Sequence, residues 1–183
     1  LHDIGKYSQA FQERLRGSKR QVDHATAGAR EVMALFPDPP YSHFAELLSY
    51  CIAGHHTGLP DYGSMGDMDT DGTLLARREK KKLEDYSAYK SELEVASLQL
   101  QPVRVKPSRF RFGEREQPYP GFSISFLTRM IFSALVDADS LETEQFMHGE
   151  TKLRGQYASM KALAHEFEQY MQRFANPQSA INR

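Results

Sequence analysis

Apolar residues recur at intervals of three and four over most of this chain, which is the spacing of one face of an α-helix. The short stretch Arg109–Phe112 is the exception, because its residue types alternate as in a β-strand. The pattern predicts an all-α fold, a compact helical bundle with long loops. The predicted helices cover Leu1–Leu15 with a break at Gly5, Asp23–Phe36, Ser42–Ile52, Leu74–Leu100, Phe122–Asp139 and Tyr157–Phe174, and the four prolines of 101–121 predict an extended loop there.

Composition narrows the class of protein further. The 183 residues suit one domain, which we expect at 1–175, followed by a linker at 176–183. A net charge of −1 argues against a globally basic nucleic-acid-binding protein. No uninterrupted apolar run approaches the ~18 residues of a membrane helix, so we expect no membrane partner and a cytoplasmic location. A single cysteine, Cys51, excludes an internal disulfide and a cysteine-built zinc site, which leaves the seven histidines as candidate metal ligands.

Two adjacent histidines follow the apolar stripe of the third predicted helix. The stripe runs through Ile52 and continues onto His55, where an imidazole in an apolar environment requires a partner. A single histidine in such a place is more often a hydrogen-bonded core residue than a metal ligand. His56 beside it, and Gly54 and Gly58, which permit a sharp turn, favour metal binding.

The fifth predicted helix ends with an acidic residue on its apolar side. Steps of four residues from Ile131 through Leu135 reach Asp139, whereas Asp137 points away from this stripe. A carboxylate on a buried stripe needs a cation or hydrogen-bond donors. The alternative is an ordinary surface acid at a frayed helix end. The spacing therefore favours Asp139 over Asp137 as a metal ligand.

The starts of the first two helices carry further candidates. His2 and Asp3 are adjacent, and His24 follows the N-cap candidate Asp23, although each would also suit an ordinary surface. Lys6 offers a point charge for phosphate, and Gly5 could permit a close approach of a substrate. Imidazole and carboxylate ligands suit Mn, Fe, Co, Ni, Zn or Mg. Two such ions sharing one carboxylate would activate a water for attack on a phosphodiester.

In their order along the chain, these motifs resemble the HD phosphohydrolase superfamily. Within it, the chain looks like the HD nuclease domain of the type I CRISPR-associated nuclease-helicase. The matching stretches are Leu1–Lys6 (LHDIGK), Asp23–Ala25 (DHA), Ala53–Asp61 (AGHHTGLPD) and Leu135–Glu144 (LVDADSLETE). Their specific parts are the Gly-His-His stretch and the Thr-Glu ending, whereas a bare His-Asp pair is common.

This resemblance implies an HD-type domain that cleaves single-stranded DNA, as endonuclease or exonuclease, in antiviral CRISPR interference. The implied metal ligands are His2, Asp3, His24, His55, His56 and Asp139. Asp3 would bridge the ions and Lys6 would lie near the scissile phosphate, so these two are the catalytic candidates. The family has one more histidine ligand, which would precede Leu1, so the expected cofactor is one or two divalent ions (Mn, Ni, Co, Fe or Mg). The implied partners are single-stranded DNA, the guide-RNA surveillance complex and a helicase domain in cis or in trans.

Two other functions use the same features. A nucleotide phosphohydrolase of the same superfamily would apply the same ligands to a small substrate. A non-catalytic docking module with a decayed site would bind no transition metal.

A basic segment with aromatic residues lies in the proline-rich region. The candidate nucleic-acid contacts are Arg104, Lys106, Arg109, Phe110, Arg111 and Phe112. Grooves for single strands combine cations with aromatic side chains in this way. A surface loop whose phenylalanines pack into the core fits the pattern equally well.

Overall fold

The computed structural model describes residues 1–94, 100–101, 104–112, 114–149, 155 and 157–175. Within them the chain forms six α-helices and one two-stranded sheet, with the order α1 (Gln9–Leu15), α2 (Ala25–Leu35), α3 (Tyr41–Gly54), α4 (Leu74–Glu79), β1 (Ser108–Phe112), β2 (Arg115–Tyr119), α5 (Pro120–His148) and α6 (Met160–Gln172). Two 3₁₀ helices cover Ile4–Tyr7 and Ser87–Ser91. The expected linker at 176–183 lies outside the described residues.

A β-hairpin corrects the all-α prediction, although the chain is mainly helical as expected. β1 and β2 pair antiparallel, from Ser108 opposite Tyr119 to Phe112 opposite Arg115. The alternation of Arg109–Phe112 is therefore a strand signal, and the extended loop predicted at 101–121 is wrong for 108–119. Pro118 is compatible with β2 because each strand of a two-stranded sheet is an edge strand.

The long charged helix predicted over Leu74–Leu100 is also wrong, because α4 ends at Glu79. Tertiary contacts hold the next residue in a non-helical conformation. The Nζ atom of Lys80 lies 2.9 Å from a carboxylate oxygen of Asp23, and Arg30 donates to the Lys80 carbonyl oxygen at 3.0 Å. Residues 95–99 of the predicted helix lie outside the described residues.

Small side chains bring α2 and α3 together at the centre of the core. Ala29 and Ala45 are fully buried, and Val32, Ile52, Ala53 and Leu74 complete this cluster. Ser49 of α3 donates a hydrogen bond to the Ala29 carbonyl oxygen at 2.8 Å. The two helices run so that the start of α2 meets the end of α3, which brings His24 beside His56.

Two glycines allow the N-terminal segment to lie directly on α2. A Cβ atom on Gly5 would lie under 3.0 Å from the His24 backbone, and one on Gly28 would lie under 3.0 Å from the Leu1 carbonyl oxygen. The expectation that Gly5 admits a substrate is therefore wrong, because Gly5 is buried against His24. Its role is to hold Asp3 close to the start of α2.

We expect Gly5→Ala to lower the free energy of unfolding by about 1–3 kcal/mol or more, the usual cost of overpacking. Gly121→Ala is the control, since a Cβ atom there meets nothing within 4 Å. It should leave stability unchanged or raise it slightly, because alanine is the better helix residue. Chemical denaturation of both variants measures the difference, and equal stabilities would contradict the packing described here.

Helix α5 has a high mean hydropathy, although polar residues interrupt its apolar sequence. It is 29 residues long and contains an 18-residue window of mean hydropathy 1.3, of which 11% is buried. By length and composition it could cross a membrane. A search for uninterrupted apolar runs does not find this helix, because Ser123, Thr128 and Arg129 interrupt the run while the mean hydropathy of the window stays high. One such helix is weak evidence, since helices of soluble proteins pass the same test, and the absence of a membrane partner stays a prediction.

The chain divides into two compact units, Leu1–Glu142 and Thr143–Arg183. The first unit contains the core and every residue of the candidate site. In the second unit, α6 begins at Met160 and is capped by Ser159, whose hydroxyl accepts from the Ala162 amide. Its apolar side chains, Phe167 among them, are exposed.

Candidate metal centre

Six side chains from four separate stretches of the chain form two adjoining groups of potential metal ligands. The first group contains Asp3, His24, His55 and His56, and the second contains His2, Asp3 and Asp139. Within each group one ligand atom per residue lies within 4.8 Å of all the others. Among the described residues, Asp3 belongs to both groups. The structure thus brings together all six residues that the sequence singled out.

The spacing of the donor atoms fits ions at ordinary coordination distances. The Nε2 atoms of His24 and His56 are 2.9 Å apart, and Asp3 Oδ1 lies 3.5 Å from His24 Nε2 and 3.6 Å from His55 Nε2. Ligands at about 2.1 Å from one ion stand about 3.0–3.4 Å apart for right-angled to tetrahedral geometry. The three observed distances lie within about 0.2 Å of this range, so small side-chain adjustments would fit these donors to one ion.

The second group uses the other oxygen of the shared carboxylate. His2 Nε2 lies 3.4 Å from Asp3 Oδ2 and 3.4 Å from Asp139 Oδ1. Because Oδ1 of Asp3 lies near the first group and Oδ2 near the second, this carboxylate would be shared by the two groups if each held an ion. The 3₁₀ helix that starts at Ile4 fixes Asp3, whose carbonyl oxygen accepts from the Lys6 amide at 2.8 Å.

The N-terminus of α2 orients His24. The N-cap residue is His24 rather than the predicted Asp23. The Asp23 carboxylate still accepts from the Thr26 amide at 3.1 Å and from the Thr26 hydroxyl at 2.7 Å, and so satisfies a free amide of the first turn. The ring of Phe11 in α1 contacts the His24 imidazole edge-on, with ring centroids 5.1 Å apart. Phe11 was missed as a site residue, because its position on the apolar side of a helix signals only burial.

The C-terminus of α3 presents His55 and His56. The Nδ1 atom of His55 lies 2.7 Å from the Ile52 carbonyl oxygen and donates to it, which leaves Nε2 free to bind a metal. The His55 side chain is fully buried. Gly58 has φ +92°, so the predicted turn after the histidines is confirmed.

The electrostatic environment keeps two of the imidazoles neutral. Burial lowers the pKa of His24 to about 4, and burial followed by the charge of His55 lowers the pKa of His56. A neutral imidazole is the form that binds a metal. The first group is therefore ready for a cation without losing protons from these two rings at neutral pH.

The shared carboxylate is ionised and attracts cations. Burial by itself would raise the pKa of Asp3, but contacts with His2, His55 and Lys6 outweigh burial and hold that pKa well below its usual range. The contact with Asp3 also raises the pKa of His2, against the effect of burial. A cation at this carboxylate therefore has to displace the Lys6 ammonium and any proton on His2, whereas the carboxylate itself stays unprotonated.

Three buried atoms of the centre lack a hydrogen-bond partner: His2 Nε2, Asp3 Oδ1 and His55 Nε2. A buried polar atom without a partner costs about 1–3 kcal/mol, and more when it is charged. All three are lone-pair donors, and all three belong to the two groups described above. Divalent ions bound at the two groups would satisfy all three atoms, because such ions accept both carboxylate oxygens and imidazole nitrogens.

Lys6 forms an ion pair with the shared carboxylate of Asp3. Its Nζ atom is 2.6 Å from Asp3 Oδ2, and the side chain is 37% exposed. The expected place near a scissile phosphate stays a prediction, since the observed partner of Lys6 is Asp3.

The candidate nucleic-acid residues lie on and before β1. Arg104, Lys106, Arg109 and Arg111 are exposed, Phe110 is 36% exposed, and the Phe112 side chain lies outside the described part of the chain. Successive side chains of a strand point to opposite faces, so Arg109 and Arg111 lie on the face opposite to Phe110. The structure therefore separates these arginines from the aromatic ring that the sequence pattern interleaves with them.

Comparison of the chain with protein-family models, with curated proteins and with solved structures gives no match.

Proposed function

We propose that this protein is a metal-dependent phosphodiesterase that cleaves single-stranded DNA. The observation that carries the proposal is the pair of donor groups that share Asp3, with three buried donor atoms left unsatisfied. Two-metal hydrolases hold their ions about 3.5–4 Å apart, a spacing that one bridging carboxylate provides.

The donor set fits ions that accept both nitrogen and oxygen ligands. Three imidazoles and one carboxylate form the first group, and one imidazole and two carboxylates form the second. Mn, Fe, Co and Ni accept such mixed sets, and Mg suits the group richer in oxygen. The set contains no thiolate, because the thiol of Cys51 hydrogen-bonds to the Thr128 carbonyl oxygen.

The residues of the chain have separate roles in this proposal. Ions bound at the two groups would supply a water of lowered pKa and neutralise charge on the phosphate. Asp3 holds both groups together, and the Ile52 carbonyl oxygen fixes the orientation of His55. Lys6, half-exposed beside Asp3, is placed to donate a hydrogen bond to a phosphate oxygen.

The motif resemblance supports a biological setting for this activity. We place the protein, as an HD-type nuclease, in type I CRISPR interference in the cytoplasm, acting on the strand that a guide-RNA surveillance complex displaces. Its partner would be a helicase in cis or in trans. Support for this setting comes from the four sequence motifs. Together they contain all six residues of the centre, and each motif contributes at least one of them.

Circular single-stranded DNA tests the proposed activity. The protein should nick and degrade it in the presence of Mn, Ni or Mg, and EDTA should abolish the cleavage. A circle has no ends, so its cleavage also establishes endonuclease activity. Lack of cleavage with every one of these ions and Co, or cleavage that persists in EDTA, would contradict the proposal.

A nucleotide phosphohydrolase is the second candidate, and one cavity favours it. A largely apolar cavity of about 430 Å³ adjoins His2 and is lined by Cys51, Ile131 and Leu135 among others. Pockets for small molecules begin at about 300 Å³, so a nucleoside could enter it. Release of phosphate from deoxynucleoside triphosphates, without cleavage of DNA, would favour this function over the nuclease.

A further inference from the structure

Four aromatic side chains form a continuous exposed surface on the β-hairpin and the first turns of α5. This aromatic platform consists of Phe110, Tyr119, Phe122 and Phe126. The ring of Phe110 lies edge-on to Phe122 at 5.1 Å and to Tyr119 at 6.0 Å, and Phe122 is stacked with Phe126 at 6.3 Å. Tyr119, Phe122 and Phe126 are 57%, 44% and 56% exposed.

Hydrogen bonds fix the hairpin on α5 and thereby hold the platform together. The Ser123 hydroxyl accepts from the Ser108 amide at 2.7 Å and donates to the Ser108 hydroxyl at 3.0 Å. Ser123 is buried at this contact. The rings of the hairpin and of the helix are therefore positioned in advance, which lowers the entropic cost of binding a ligand.

The charge around the platform indicates the chemistry of its ligand. Residues 104–129 contain six Arg or Lys and two Glu, a net charge of +4, whereas the whole chain has −1. Arg109 and Arg111 lie on the other face of the hairpin, but Arg115, which pairs with Phe112, lies on the same face as Phe110. Arg129 follows Phe126 by three residues and so lies on a neighbouring part of the same helix side. An apolar protein surface could not pair with these cations. A polyanion that carries aromatic rings could contact both the cations and the exposed rings.

We propose that the aromatic platform binds single-stranded nucleic acid by stacking on its bases, while the surrounding cations contact the phosphates. Base–aromatic stacking contributes to binding of every sequence, because each base has a π-face. A duplex keeps those faces inside its own stack, so an unpaired strand is the form that fits. Assigning this strand as the substrate of the metal centre rests on the proposed function, but the binding itself does not.

Helix α5 relates the platform to the metal centre within the first unit. Phe126 and Phe122 precede Asp139 by 13 and 17 residues, which is about 20 and 26 Å along the helix axis. Arg129 lies between the platform and Asp139, both along the helix and around it. At about 3.4 Å per stacked nucleotide, the span corresponds to about six to eight nucleotides.

The test compares two labelled 20-mers in EDTA, oligo-dT and a strand of abasic sites with the same phosphates. We expect Phe122→Ala and Phe126→Ala each to weaken oligo-dT binding at least about fivefold, and the double variant at least about 20-fold. Abasic binding should not change, and Phe126→Tyr should bind oligo-dT like the unmodified protein. Phe167→Ala, which removes an exposed ring from α6, is the matched control and should have no effect.

Hydrolysis of bis-p-nitrophenyl phosphate separates this inference from the proposed function. This substrate is too short to reach the platform, so the alanine variants should hydrolyse it at the unmodified rate. If the unmodified protein fails to hydrolyse it or DNA, while the alanine variants still lose oligo-dT binding, the proposed function fails and the platform stands.

Three results would overturn the inference. The first is unchanged oligo-dT binding by the double variant. The second is an equal loss of oligo-dT and abasic binding, which would assign the effect to charge or to misfolding. The third is a change of oligomeric state in the double variant with DNA binding unchanged, which would assign the surface to a second copy of the chain.

Discussion

Asp3→Ala should abolish metal-dependent cleavage of DNA, with a loss of at least about 100-fold. Loss of an outer-shell partner of a metal site typically costs 10–100-fold, and Asp3 is a ligand of both groups at once. The variant should also bind neither ion tightly, because it removes the carboxylate oxygen that each group contains. Initial rates on single-stranded DNA and calorimetric titration with Mn measure the two effects.

Asp3→Asn controls for the volume lost in the alanine variant. Asparagine keeps the shape of the side chain but removes the charge, and its amide nitrogen cannot bind a cation. We expect it to be inactive and folded, with a circular-dichroism spectrum like that of the unmodified protein. Full activity in either variant would rule out a bridging role for Asp3.

The second large effect separates two aspartates that are two residues apart on α5. Asp139→Ala should lower cleavage by at least about tenfold and reduce the number of bound ions by one, because Asp139 belongs only to the group with His2 and Asp3. Asp137→Ala is its matched control, since Asp137 is an exposed residue of the same helix outside both groups. Rates and ion stoichiometry are measured for both variants in parallel.

Equal losses in Asp137→Ala and Asp139→Ala would mean that the end of α5 acts through general charge rather than ligation. Loss of both ions in Asp139→Ala would mean that the two groups do not bind independently. Either result would contradict the division of the centre into a four-donor and a three-donor group.

Local spacing predicts the site better than it predicts the elements that carry it. The continuation of an apolar stripe onto His55 and Asp139 indicates that polar atoms are buried. In the structure the His55 side chain is fully buried, and the Asp139 side chain is partly buried beside His2. Helix periodicity alone is enough to predict that these two residues lie on the apolar side of their helices. Convergence of the six side chains on Asp3 depends on tertiary packing, which the sequence suggested only through its motif resemblance.

The failures have tertiary causes. The sequence favours a helix through Lys80–Lys82, but the Asp23 carboxylate and Arg30 hold Lys80 in an extended conformation. Gly5 looked like a site for a substrate, but its missing side chain serves the close contact with His24. The hairpin of 108–119 was missed because its alternation is short and prolines flank it, and the aromatic platform could not be seen before the hairpin was placed on α5.

Anomalous scattering from crystals grown with Mn would locate any ion bound by the six side chains. We expect one peak within coordination distance of Asp3, His24, His55 and His56, and a second at His2, Asp3 and Asp139, about 3.5–4 Å away. Hydrogen bonds or water at all six side chains, with Mn bound elsewhere or not at all, would contradict this expectation.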